Sequence, residues 1–323
     1  MGSLHVTYLV GVATVQDLGR YGYRALGVPV SGALDVLSAA YANALVGNKP
    51  GTALVELFGS MKLRVEKDVI AAVTGGIPKV FVDRYETSPW RPIYLKPGME
   101  LVIRPSDRGS VFYVAVAGGV VCEEVLGSKS TYVRGGFGCL GRPIRVGDVL
   151  INRDVDADRL WSEVCDLRPV LKPDKRVPKT SEPLVVKATK CIHSEQLPDL
   201  DVLLNSEYVI ALESDRMGYR LDGPPLESSS KLGRLPSIPT DRGYVQVPPD
   251  GKPIVLMSDA QTTGGYAVAL HVIPPDLDIL AQARPCQRVR FVEVNAEEAE
   301  KHTSKYLGEV ERPLLTTAEN EEY

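Results

Sequence analysis

Val245-Gln246-Val247-Pro248-Pro249-Asp250-Gly251-Lys252-Pro253-Ile254-Val255-Leu256-Met257-Ser258-Asp259-Ala260-Gln261-Thr262-Thr263-Gly264-Gly265-Tyr266 reads as a strand, a proline-glycine turn, a second apolar strand and a polar loop closed by two glycines. Short Val- and Ile-rich runs divided by Gly and Pro are strands separated by turns. The same rhythm fills the chain, with 29 glycines and 24 prolines as punctuation. Leu4–Val10, Val69–Thr74, Lys79–Val82, Ile93–Leu95, Glu100–Ile103 and Val111–Ala117 are the expected strands of the first half. Leu184–Ala188, Tyr208–Leu212, Tyr244–Val247, Ile254–Met257, Tyr266–Ile273 and Val289–Val294 repeat them in the second. Regular short strands favour barrels or sandwiches over parallel βαβ units, so the expected fold class is all-β with few helices. The polar loop is either a hairpin turn or a ligand contact, since a glycine pair lets backbone amides approach a ligand.

Three helices stand out. Ser31 to Gly47 has a capping serine, apolar residues at spacings of three and four, and a terminal glycine. Asp276–Ala283 follows two prolines, and Ala157–Val164 is the third. At 323 residues two domains are expected. The boundaries are 1–168 for the first, 169–183 for a proline-rich linker, 184–294 for the second and 295–323 for an acidic tail containing Glu319, Glu321 and Glu322.

A net charge of −4 argues against non-specific nucleic-acid or anionic-membrane binding. No apolar run reaches the ~20 residues of a membrane span. No secretory signal is visible after Met1, so a cytoplasmic location is expected. Five widely spaced cysteines make neither a disulfide framework nor a zinc ribbon. Cys191 and His193 offer two metal ligands, but nothing nearby completes a site, and none is expected.

Leu126-Gly127-Ser128-Lys129-Ser130-Thr131 lacks the Gly-Lys of a phosphate loop. It suits a nest for a carboxylate or phosphate, or a plain structured loop. Asp17 and Arg20 lie in a glycine-shaped loop before the first helix, either as a structural pair or beside an anion site. Arg216 and Arg220 flank Gly218 and suit carboxylate recognition or an ion-pair brace. Lys62, in a Met-Lys pair, lacks the turn composition of a biotinylation site.

TVQDLGRYGYRALGVPVSGALD from Thr14, ANALVGN, AVAGG, LGSKSTYVRGGFG and GRPIRVGDVL, with SDRMGYRLDG and VQVPPDGKPIVLMSDAQTTGGYAVALHVIPPDLDILAQARP in the second half, resemble the carboxyltransferase proteins of the allophanate hydrolase subunit 2 family. The resemblance runs from about Gly11 to Phe291 and departs from the family pattern at Gly76, Val111, Ala188–His193 and Pro239–Gly243. Members include KipA-like proteins, the C subunit of 5-oxoprolinase and the matching part of urea carboxylase. The resemblance implies two cyclophilin-like β-barrels in tandem. It implies work with a subunit-1 (KipI-like) sister protein and a LamB/YcsF-like subunit in ATP-dependent opening of 5-oxoproline to glutamate. The alternatives are carboxyl transfer from biotin and a non-catalytic KipA-like role antagonising a kinase inhibitor. On this reading Asp259, Gln261 and Asp17 are the catalytic candidates. Thr262, Thr263, Gly264, Gly265, Tyr266, Arg216, Arg220, Gln246, Ser128, Ser130, Thr131 and Arg20 are the candidate substrate contacts.

Overall fold

Strand Gly2–Gln16 pairs antiparallel with Leu54–Val65 almost end to end, from Leu4 opposite Val65 to Gln16 opposite Leu54. Midway, Gly11 faces Gly59, both at positive φ. A Cβ on either would sit within 2.1 Å of a facing carbonyl oxygen, so only glycine permits this approach. Around the same point Leu54–Val65 changes its second partner. Met61–Arg64 pair with Glu100–Ile103, whereas Val55–Leu57 pair with Val114–Phe112. The computed structural model describes residues 1–177, 179 and 181–317. Pro178 and Thr180 of the expected linker lie outside them, as do Glu319, Glu321 and Glu322 of the expected tail.

The chain divides into two compact units. The first holds Met1–Arg20, Ser31–Val177 and the described residues from Gly308; the second holds Tyr21–Val30 and the described residues between Val177 and Gly308. In the first unit ten strands form one branched sheet. Alternation sorts its side chains between two apolar clusters. Val69, Ala71, Val73, Phe112, Val114 and Val116 join the larger cluster. Ile70, Ala72, Tyr113 and Ala115 face the other way, against Ala39, Ala42 and Leu45 of helix Val36–Leu45.

That helix starts later than its sequence suggests. Ser31 is buried in the left-handed region (φ 57°) and caps nothing; Asp35 is the cap, accepting from Ser38 N at 3.0 Å. The Asp35 carboxylate is also held bidentately by Arg176, at 2.6 and 2.8 Å. Tyr113 OH accepts from Asp35 N (2.7 Å) and donates to Glu56 (2.9 Å), which also accepts from Leu34 N (2.8 Å). Burial first, then the Glu56 and Asp35 charges, pushes the Tyr113 phenol well above its ordinary value, so it stays a donor. Arg176 ends the short helix Pro173–Arg176, inside the stretch whose composition suggested a solvated linker. Nearby Leu167–Pro169 pairs with Leu315–Thr317.

In the second unit seven strands close a barrel, in the order Leu184–Lys190, Ala267–Val272, Tyr244–Val247, Ile254–Leu256, Gly218–Asp222, Tyr208–Ile210 and Arg288–Glu293. Leu184–Ala188 and Val289–Glu293 close it in parallel. Val186, Val245, Val255, Leu270, Val289 and Phe291 are buried. The fold is thus mostly β, as expected. Two details differ. Cys122 and Cys139 are joined in a disulfide with Cα atoms 5.4 Å apart, a pairing their sequence spacing did not reveal. Helix Ala296–Glu311, at 16 residues, occupies much of the stretch expected to be an acidic tail.

His193 Nδ1 accepts from Val268 N (3.0 Å) and so serves the barrel rather than a metal. His271 Nε2 lies 3.2 Å from the Arg242 carbonyl, which can only accept, so that nitrogen carries the proton. Among the described residues no group of three or more His, Cys, Asp or Glu could hold a metal, and no helix is long and apolar enough to cross a membrane.

Asp35→Ala removes a helix cap and leaves Arg176 buried without its carboxylate. It should cost about 3–5 kcal/mol in urea unfolding of the purified chain. Burial lowers the pKa of both His193 and His271 below the ordinary 6.5. The unfolded chain therefore takes up protons that the folded one refuses, and stability should be full above pH 6.5 and fall below it. Urea midpoints at pH 7.5 and 5.5 check this; His271→Gln should flatten the dependence.

Candidate functional site

The residues singled out by sequence fall into two groups, one in each unit, and each is described by itself. In the first unit Asp17, Arg20, Ser128, Ser130 and Thr131 do come together. The Asp17 carboxylate accepts from Gly19 N (2.8 Å), Ser128 Oγ (2.7 Å), Ser130 Oγ (2.5 Å) and Lys129 N (2.7 Å). The loop after Leu126 therefore is a nest for a carboxylate, and the carboxylate it holds is the chain's own. Ser128, Ser130 and Thr131 are buried, and Thr131 Oγ1 donates to the Cys139 carbonyl. Arg20, buried too, donates to the carbonyls of Val125 (2.9 Å) and Ser130 (2.8 Å) and stacks over Phe137, 4.9 Å to the ring centre. These five residues brace two loops against each other.

In the second unit the loop from Ser258 to Tyr266 follows strand Ile254–Leu256 and leads into Ala267–Val272. Arg216 grips Asp259 bidentately, Nε to Oδ2 at 2.8 Å and Nη2 to Oδ1 at 3.0 Å. Both side chains are largely buried, at 13% and 8% exposure. Asp259 N also donates to Arg216 O (2.8 Å). The pair is the ion-pair brace, not a waiting carboxylate receptor and base. Arg220 stands apart, exposed on strand Gly218–Asp222 opposite Ile254.

The amides behave differently. Gln246, 2% exposed, points from strand Tyr244–Val247, and Gln261 is exposed on the loop. Gln261 Nε2 donates to Gln246 Oε1 at 3.0 Å. Gln246 Nε2 is buried with no hydrogen-bond partner among the described residues. A Cβ on Gly264 would sit 2.6 Å from that nitrogen, so the first glycine of the pair keeps open the space in front of it. Thr263–Gly264 pairs with Ile238–Pro239, and the buried Thr240 Oγ1 donates to the Gln261 carbonyl. Thr240 was missed in the sequence, because a threonine after a proline carries no signal of what it will bond. Thr262 is half-buried, and Thr263 and Tyr266 are exposed beside the Gly265 turn. Gln261, Thr263 and Tyr266 therefore form an exposed polar edge, with Gly264 and Gly265 half-buried and Gln246 buried beneath them. The one-sided glutamine pair leaves a donor, Gln246 Nε2, and an acceptor, Gln261 Oε1.

A tandem of β-rich units with these motifs defines a carboxyltransferase-type protein. The family described as carboxyltransferase domain, subdomain A and B, matches residues 26–293, and the chain belongs to it. It is 33% identical over 306 residues to the 5-oxoprolinase C subunit of Haemophilus influenzae, covering 93% of this chain and 95% of that one. Against the 5-oxoprolinase C subunit of Escherichia coli it is 35% identical over 294 residues, 88% of this chain and 89% of that one. Among solved structures, TTHA0988 superposes with a TM-score of 0.75 at 32% identity, over 90% of this chain and 55% of that one. The Kluyveromyces lactis urea amidolyase shares the fold (TM-score 0.83, 24% identity) over 95% of this chain, which spans a fifth of that protein.

Asp17→Asn would turn amide hydrogens toward donors that now meet a carboxylate. It should lower stability by about 1–3 kcal/mol and speed hydrogen exchange at Lys129 and Ser130, read by exchange mass spectrometry.

Proposed function

We propose that this chain is the C subunit of a 5-oxoprolinase-type assembly that opens the 5-oxoproline lactam to glutamate with ATP. The observation that carries the reading is its end-to-end likeness to the Haemophilus influenzae protein, 95% of which it covers. The second unit supplies chemistry that suits it. A five-membered lactam has a cis amide, with its N–H and C=O side by side on one edge. Gln246 Nε2 and Gln261 Oε1 offer the complementary donor and acceptor, which a free carboxylate or ester would not satisfy. A donor held in a buried site toward the lactam oxygen stabilises charge that builds there when the carbonyl is attacked. Reaching Gln246 requires the loop from Ser258 to Tyr266 to yield at Gly264 and Gly265, while the Arg216–Asp259 pair anchors its base.

The nest after Leu126 does not fit ATP, because Asp17 fills it with a negative charge. That favours nucleotide binding on a partner, in line with a KipI-like sister protein and a LamB/YcsF-like subunit in a cytoplasmic complex. Biotin-dependent transfer fits less well: Lys62 lies within strand Leu54–Val65, paired on both sides with Tyr8 and Val102, where no carrier could swing.

Co-expression with the two partner types and assay of ATP-dependent glutamate formation from 5-oxoproline tests the reading. Gln261→Ala, at an exposed position, should lower kcat/KM 10- to 100-fold, ~1.4–2.8 kcal/mol, with the fold intact. Gly264→Ala, which fills the space before Gln246 Nε2, should do at least as much. No turnover by well-folded partners, or full activity in both variants, contradicts the proposal.

A further inference from the structure

Gln261 is exposed, yet its side-chain amide meets the buried Gln246 at 3.0 Å. An exposed glutamine spreads over many rotamers unless the backbone beneath it is held. On one side the loop is held by Arg216, whose bidentate pair with Asp259 lies two residues earlier. On the other stands Thr240, 1% exposed, which bonds two successive carbonyls of the loop. Thr240 Oγ1 donates to the Gln261 carbonyl, and Thr240 N donates to Thr262 O at 3.0 Å.

A peptide unit is planar, so a carbonyl held in one direction orients the whole plane. The Gln261 carbonyl belongs to the plane that joins Gln261 to Thr262, and the Thr262 carbonyl belongs to the next. One residue holds both planes, and the direction in which the Gln261 side chain leaves the backbone is thereby set. Farther along, Thr263–Gly264 pairs with Ile238–Pro239, and Leu235 N donates to Gly265 O at 2.9 Å. The two bonds of Thr240 thus end before Gly264 and Gly265, where the loop must yield to uncover Gln246. The same side chain has a second face. A Cβ on Gly264 would lie 3.1 Å from the Thr240 methyl and 2.6 Å from Gln246 Nε2, so the methyl and the unpartnered donor border one space.

We propose that Thr240 is the positioning residue of the glutamine pair. Its hydroxyl fixes the Gln261 carbonyl, which keeps the Gln261 amide seated on Gln246 while the glycines beyond it move. Thr240 lies in Pro239–Gly243, where the sequence departs from the family pattern, so the resemblance itself assigns it no role. The positioning is read from the geometry of the loop; only the substrate that the pair reads rests on the function proposed above.

Two substitutions separate the hydroxyl from the bulk of the side chain. Thr240→Val keeps the volume and removes the hydroxyl, and Thr240→Ser keeps the hydroxyl and removes a methyl. Nitrogen-15 relaxation of the full-length chain reads the order of the Gln261 side-chain amide. Its order parameter should fall below ~0.6, the flexible range, in Thr240→Val and hold its original value in Thr240→Ser. Backbone order in strand Ala267–Val272 should be unaltered in both, which separates a local loss from general loosening. In the assembly, Thr240→Val should lower kcat/KM for 5-oxoproline about tenfold or more, and Thr240→Ser should restore most of it. Unchanged Gln261 order in Thr240→Val, an equal loss in Thr240→Ser, or a loss shared by Ala267–Val272 would overturn the proposal, as would full turnover by Thr240→Val. If the unaltered chain gives no turnover with its partners, the function proposed above fails, and the relaxation measurement still decides the role of Thr240.

Discussion

A charge taken out of water must find a partner, and in this protein that constraint decides which ionic residues remain for a ligand. Asp35 lies at a buried helix start and takes Arg176 from a distant proline-rich segment. Asp17 is surrounded by two serine hydroxyls and two backbone amides. Asp259 is clasped by Arg216 at the base of the polar loop. Each pairing joins segments far apart in sequence, so each fixes a loop whose backbone would otherwise wander. What the loop from Ser258 to Tyr266 leaves over is a pair of neutral amides, with Gln246 Nε2 unpartnered among the described residues.

Much of the fold was legible because its strands obey local rules. Lys79–Val82 and Tyr244–Val247 begin and end as their alternation and flanking turn residues indicate. Helix Ala157–Val164 has the apolar spacing and the aspartate cap that define it. The strand Leu54–Val65 was the main loss, and the upper half of Gly2–Gln16 went with it. Glycine normally marks a turn, and Gly59 and Gly11 interrupt both patterns. Here they face each other across a ladder and mark a close approach. The helix start was misplaced because Ser31 has the chemistry of a cap but the backbone of a left-handed turn.

The site was legible in its residue types and illegible in their partners. Composition suited the loop after Leu126 to an anion nest or to a plain structured loop; nothing local revealed that Asp17, over a hundred residues earlier, would fill it. Arg216 and Asp259 each looked available, and their mutual grip depends on two barrel turns meeting in space. The glutamines gave the weakest signal in sequence. Gln246 sits on a strand as any half-buried residue might, and only its unpartnered nitrogen beneath Gly264 sets it apart.

The central claim is that neutral amides, not the braced ions, read the ligand. Nitrogen-15 spectra of the chain labelled in its glutamine and arginine side chains, recorded as 5-oxoproline is added, address it directly. The account predicts shifts in the Nε2 resonances of Gln246 and Gln261 with Arg216 Nε unmoved. Movement centred on Arg216, with both glutamines silent, would contradict it.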